Sequence, residues 1–336
     1  MIMRDNYIYD AVDNFGQLSG IRNEISIVRN KGDYQLTIGR VDYMVALWKE
    51  IRVSSKGIVL QKVKELEKRI DLPIIIISNY IALEVADEFK QNGINYLDGS
   101  GNSFIRNAEL LVFISGQKTL NPILTNQARA FRESGIRLIF ILLCNPDIIQ
   151  LPNWRLSVLS GISVGSVSNV LTELESLNFV LKVRGGRRLK NLKLLLDRWI
   201  ISYFDVLRPR LALKRMDFEF AGDYISWQNL PTQNSKGRVL WGGETAAALK
   251  TKNLSPKYFT LYTDQNWQEF ARDLRLIPNE SGNLEILEIF WKDSDAGIIP
   301  GLVPVLLIYA DLVGSGVERN IQIANEILAN DLQYIK

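Results

Sequence analysis

Between Tyr34 and Gln117 the apolar positions switch repeatedly between a period of two and helical spacing. The pattern predicts strands over 34–38 and 43–48, a helix over 58–69, a strand over 72–77 and a helix over 82–92. A strand at 95–98 and two short strands ending near Ser115 complete the region. The run Leu72-Pro73-Ile74-Ile75-Ile76-Ile77 contains no polar residue, which predicts a strand covered on both faces. Strands alternating with helices in this way imply an α/β sheet domain. An apolar helical segment, Asn126 to Leu143, follows.

The next pattern is of a different kind. Arg155 to Ser160 has short helical spacing, Gly161 stands where a tight turn needs a residue tolerant of positive φ, and Val164 to Leu177 resumes helical spacing. Val167, Val170, Leu171, Leu174 and Leu177 recur at steps of three and four and are expected to pack inward. The other face begins with small or hydrogen-bonding residues: Ser163, Gly165, Ser166, Ser168, Asn169 and Thr172. Small side chains let a helix approach a nucleic-acid groove, and Ser, Thr and Asn can bond phosphates or base edges. Helix capping also selects serine at a helix start. Phe179 to Val183 then reads as a strand, Gly185-Gly186 as a tight turn and Arg187 to Leu192 as the returning strand. Lys182, Arg184, Arg187, Arg188, Lys190 and Lys193 give this hairpin six cations and no acid. The combination predicts a winged helix-turn-helix that contacts double-stranded DNA through Arg155, Ser163, Gly165, Ser166, Ser168, Asn169, Thr172, Lys182, Arg184, Arg187, Arg188 and Lys190.

A long helix over 192–207, ended by Pro209, leads into mixed strands and helices from Leu211 onward. Three domains are therefore expected: an α/β sheet domain over 1–125, a winged helix-turn-helix over 126–195 and an α+β domain over 196–336. Polar stretches near Gln228 to Gly237 and Asp293 to Pro300 read as surface loops.

Composition narrows the chemistry. The net charge is only +3 over 336 residues, so affinity for nucleic acid has to come from local clustering such as the hairpin. The chain contains no histidine and one cysteine, Cys144, which excludes Ser-His-Asp and Cys-His nucleophiles, histidine zinc sites and thiolate clusters. Cys144 is expected to be buried as a small hydrophobe in a reducing cytoplasm. The acidic start MIMRDNYIYD and the shortness of the apolar runs argue against an export signal or a membrane span. No cofactor is implied.

Four further stretches bear on chemistry. A nuclease of restriction type would need carboxylates converging on magnesium, with a nearby lysine supporting the attacking water. Asp33 or Asp42 could supply the first acid, but the strand ending Lys49-Glu50 has no acid two residues before its lysine and sends these two side chains to opposite faces. Enzymatic activity is therefore not expected. Asp98-Gly99-Ser100-Gly101-Asn102 reads as a polar turn closed by its own side chains. In Trp241-Gly242-Gly243-Glu244-Thr245-Ala246-Ala247-Ala248-Leu249, paired glycines precede a helix that could face a phosphate, but Glu244 would repel one and the alanines suit close packing. Within Leu306 to Leu328, Asp311 and Arg319 bracket a Gly314-Ser315-Gly316 loop that they could pin, or that could face a partner.

Taken together, NYLDGSGNSFI, the serine-rich helix with its GGRR hairpin, WGGETAAAL and LLIYADLVGSGVERNIQIANEIL resemble the AbiEi-like antitoxins of type IV toxin–antitoxin systems, over roughly Tyr34 to the C-terminus. The resemblance implies a transcriptional regulator that represses its own promoter and opposes a nucleotidyltransferase-like toxin. It also implies an N-terminal region like a degenerate restriction-endonuclease fold. Reaching two half-sites would call for a homodimer. The alternatives are a magnesium-dependent nuclease and a protein-interaction module that neutralises a toxin without DNA.

Overall fold

The computed structural model describes residues 6–27, 34–118, 128–219, 233–234, 237–292 and 299–335. Contacts between residues divide the chain into two compact units, Met1–Asn126 and Gln127–Lys336.

The first unit contains, in order, α1 (Asn6–Ser19), β1 (Asn23–Ile27), β2 (Tyr34–Ile38), β3 (Val41–Ile51), α2 (Val53–Glu67), β4 (Ile74–Ile81), α3 (Leu83–Gln91), β5 (Asn95–Asp98), β6 (Ser103–Arg106) and β7 (Leu111–Ile114). Its strands form one seven-stranded sheet in chain order. β3, β4 and β5 run parallel, because α2 and α3 provide the crossovers that parallel neighbours require. The outer pairs are antiparallel and joined by short connections.

Ile74 to Ile77 are all buried, as the unbroken apolar run predicted. Ile75 and Ile77 pack with Ile8, Ala11, Val12 and Phe15 of α1. Strand alternation turns their neighbours to the opposite face, where Phe89 of α3 meets Tyr96 of β5 at 6.2 Å between ring centroids. The sheet is thus covered on both sides. Helix α2 starts at Val53, ahead of the expected 58, although Ser54, Ser55 and Gly57 are weak helix formers. The Ser55 hydroxyl accepts a hydrogen bond from the Arg52 backbone N–H at 2.9 Å, which closes the first turn.

The second unit opens with a 3₁₀ turn (Arg129–Phe131), α4 (Glu133–Cys144) and a second 3₁₀ turn (Pro146–Gln150). There follow α5 (Asn153–Ser160), α6 (Val164–Ser176), the hairpin β8 (Val180–Val183) and β9 (Gly186–Leu189), and α7 (Leu192–Ser202). A π turn (Tyr203–Leu207) joins α7 to α8 (Arg208–Leu211). The remainder is β10 (Ala212–Phe218), β11 (Gln233–Asn234), β12 (Gly237–Gly242), α9 (Gly243–Thr251), β13 (Phe259–Thr263), α10 (Trp267–Asp273), β14 (Leu276–Pro278), β15 (Leu284–Glu288), α11 (Val305–Gly314) and α12 (Glu318–Asn330). Six of these strands form a mixed sheet in the order β11-β12-β13-β15-β10-β14, with β13 and β15 parallel.

The nearly all-apolar α4 joins the two ends of this unit. Phe140 stacks on Trp199 of α7 at 5.5 Å, and lies 4.9 Å from Phe290 and 5.6 Å from Trp291 beyond β15. The Trp199 indole donates to the Ile136 carbonyl at 2.9 Å, satisfying a polar group in this apolar setting. Helices α4 and α7 and the segment after β15 therefore share one core.

Pro209 does not end the helix as the sequence suggested. The π turn resets the register, so that Pro209 falls in the first turn of a new helical segment, where a missing N–H costs nothing. The Cys144 thiol is enclosed and burial pushes its pKa up, although the residue as a whole keeps some exposure. Among the described residues no helix is long and apolar enough to cross a membrane. Of the two expected surface loops, residues 228–232, 235–236 and 293–298 lie outside the described residues.

Candidate nucleic-acid interface

Helix α5 ends at Gly161, whose φ of 69° supplies the left-handed turn into α6. The inward face of α6 carries Val167, Val170, Leu171 and Leu174, all buried, while Leu177 is half-buried just past its end. Glu173, on the same helix, accepts hydrogen bonds from the backbone N–H groups of Arg129 (2.9 Å) and Ala130. This carboxylate binds α6 to the turn before α4, and its role was not legible in the sequence.

On the outward face the polar residues divide into two groups. Ser163 caps α6, accepting from the Ser166 N–H at 3.1 Å, and the two hydroxyls lie 2.9 Å apart. The Thr172 hydroxyl donates to the Ser168 carbonyl at 3.0 Å. These three side chains are engaged by their own helix, the role that capping gives to serine and threonine. Ser168 and Asn169 are exposed, and their side chains bond to nothing among the described residues. Gly165 is exposed too, and a Cβ there would meet only open space.

The hairpin shows a similar division. The β8–β9 register places Lys182 opposite Arg187 and Leu181 opposite Arg188, so the two arginines lie on different faces. The inner face is tied down. The Arg187 guanidinium donates to Asn153 Oδ1 at 3.0 Å, and Gln150 receives the Arg187 N–H at 3.2 Å while donating to its carbonyl. Lys182 pairs with Glu175 at 2.8 Å. Arg184 at the turn and Arg188 on the outer face are exposed, and Lys190 is half-exposed; none of the three is paired among the described residues. The turn itself is made at Gly185, with φ of 100°, and Gly186 already belongs to β9. Arg155 lies in α5, its guanidinium 5.4 Å from the Trp154 ring.

The other motifs resolve differently. Asp98 is buried and accepts from the N–H groups of Ser100 and Asn102, both at 2.9 Å, and from Asn102 Nδ2 at 2.8 Å, so it closes its own turn. Of the candidate nuclease residues, Asp33 lies outside the described residues, Asp42 accepts from Thr37 at 2.6 Å and Glu50 pairs with Arg52 at 3.0 Å. Among the described residues no three acidic or cysteine side chains gather as metal ligands.

In the WGGE motif Gly242 lies under the Tyr262 ring, and Gly243 takes a φ of 52°. Glu244 is buried and accepts from the Lys257 N–H (2.7 Å), Arg319 Nη2 (2.7 Å) and Asn320 Nδ2 (2.8 Å). Arg319 therefore serves Glu244, and of the two readings left open for the Gly314–Gly316 loop, the Asp311–Arg319 pin does not form. Asp311 instead accepts from the Tyr262 hydroxyl at 2.9 Å and lies 3.6 Å from Arg208 Nε.

Residues 188–335 match a family model described as transcriptional regulator, AbiEi antitoxin, type IV toxin–antitoxin system. The match covers the six-stranded sheet and its helices and begins within β9, after α5 and α6. No curated protein and no solved structure matches the chain significantly.

Proposed function

We propose that the protein is a DNA-binding transcriptional regulator of antitoxin type, in which α5, α6 and the β8–β9 hairpin act as a winged helix-turn-helix within residues 126–195. The observation that carries this reading is the way the polar groups divide. Ser163, Ser166, Thr172, Lys182 and Arg187 hold the motif together, whereas Ser168, Asn169, Arg184 and Arg188 project from it unpaired. An exposed glycine on the same helix face allows close approach to a groove. The family match over 188–335 supports the regulatory role and the existence of a toxin partner. On this reading the protein works in the cytoplasm and represses its own promoter as a homodimer, and the toxin it opposes is nucleotidyltransferase-like. The first unit is an inactive, restriction-endonuclease-like fold, a reading supported by the engagement of Asp42 with Thr37 and of Glu50 with Arg52.

The test is a titration with the DNA upstream of its own gene at several salt concentrations. Replacing both Arg184 and Arg188 with alanine removes two phosphate contacts per protomer. It is expected to weaken binding to all sequences and to lower the slope of log K against log salt by about 2 for each protomer. Arg187→Ala is expected to reduce stability, because its guanidinium secures the hairpin to α5. Unchanged affinity and slope in the Arg184/Arg188 variant would remove the DNA reading and leave the protein-interaction module.

A further inference from the structure

At the start of α9 the second unit forms a half-open cavity of about 260 Å³ lined from the π turn, α8, β10, α9, β13, β15, α11 and α12. The ionic groups around it nearly cancel. Arg208 pairs with Glu285 at 2.6 Å, and Glu244 with Arg319 at 2.7 Å. Arg215 stands exposed at the rim, opposite Glu285 in the strand register. Asp311 shares the Arg208 guanidinium with Glu285, at the longer distance. Tyr262 donates to it and in turn accepts from Tyr203 at 2.7 Å, but its nearest cation is the Arg208 Nε at 3.6 Å, on a guanidinium already committed to Glu285.

Two more acceptors on the wall are unused. Asn320 is fully buried; its Nδ2 donates to Glu244 and Ser315, yet among the described residues its Oδ1 accepts no hydrogen bond. Asn283 Oδ1 is likewise buried without a partner. A buried acceptor without a donor costs on the order of 1–3 kcal/mol, so two on one cavity wall mark a place for donors from outside the chain. The aromatic lining supplies the complement to a cation. Phe204 already carries the Arg208 guanidinium at 5.3 Å from its centroid, and Tyr258 is exposed at the mouth.

We propose that this cavity binds a small organic cation rich in N–H donors, of the guanidinium or protonated-amine class, with its charged head toward Asp311, Asn320 and Asn283. The cavity lies wholly within the second unit and its occupation does not require DNA binding.

The test is calorimetric titration of the full chain at neutral pH with butylguanidinium, against its neutral isostere butylurea and the anion butyrate. Butylguanidinium is expected to bind saturably with one site per chain, and the two controls at least about tenfold more weakly. Asn283→Leu is expected to weaken butylguanidinium binding by about tenfold, and Asp311→Asn by more. Should Asp311→Asn fail to fold, Asn283→Leu still decides, since the Asn283 Oδ1 accepts no hydrogen bond among the described residues. The proposal is overturned by absence of saturable binding at millimolar butylguanidinium, by equal binding of butylurea or butyrate, or by undiminished binding to Asn283→Leu.

Discussion

Asp311 is where opposing effects on a single residue can be ranked. Burial raises its pKa, and Arg208, Tyr262 and the Gly243 N–H lower it; burial prevails and leaves the carboxyl at about 6. The reason is geometric: the Arg208 guanidinium is closer to Glu285 than to Asp311, by 2.6 against 3.6 Å. The sign of the pH effect follows. Between the unfolded value near 3.8 and the folded value near 6, the folded state binds more proton than the unfolded chain, so this group favours folding increasingly as pH falls through about 6. Urea unfolding of wild type and Asp311→Asn should show the wild type gaining up to about 1.4 kcal/mol per pH unit relative to the variant between about pH 6 and pH 4. A wild type that loses ground to the variant on acidification would mean that Arg208 dominates instead. None of this was legible in the sequence, which suggested Arg319 as the partner. Tyr262, Arg208 and Asp311 lie far apart along the chain, and only the fold of the second unit makes them neighbours.

At the scale of elements the α6 face separates groups that build the helix from groups free to read a ligand. Ser163→Ala deletes a helix cap and is expected to cost about 1 kcal/mol of stability, with little change in the DNA sequence preferred. Asn169→Ala deletes an exposed side chain and should leave stability within about 0.5 kcal/mol while lowering discrimination at one base pair by about 1–3 kcal/mol. Denaturant melts and binding to a set of single-base operator variants would separate the two, and reversed effects would reassign the face. The elements themselves were largely legible. Spacing alone gave β2 through β7 and the α5-turn-α6-hairpin order, since each uses a local period and a local turn residue such as Gly161 or Gly185. α1 was equally readable: Ile8, Ala11, Val12 and Phe15 follow helical spacing and all are buried. No element is predicted before Tyr34, where the start of the chain bears only on export. Boundaries failed where a side chain outweighed propensity, as Ser55 does at the start of α2 and the π turn does before Pro209.

For the molecule as a whole, the deciding fact is that each unit has its own core. Ile75 is fully buried with α1 against the seven-stranded sheet, and Ile139 is fully buried in α4, the helix on which the second unit is assembled. Truncating a buried isoleucine to alanine costs about 2–5 kcal/mol, through lost transfer energy and the cavity left behind. In domains of this size that amounts to a fall in melting temperature of roughly 5–20 °C. If each core stabilises its own unit, Ile75→Ala in the full chain lowers one calorimetric transition and Ile139→Ala lowers the other. The DNA reading adds a condition. Helix α4 packs on α5 and α6 and carries Phe140 against Trp199, so Ile139→Ala should abolish operator binding at the temperature where that unit melts. Ile75→Ala should leave binding intact through the melting of the first unit. Loss of operator binding in step with the first unit would show that DNA recognition depends on that sheet as well as on α6 and the hairpin.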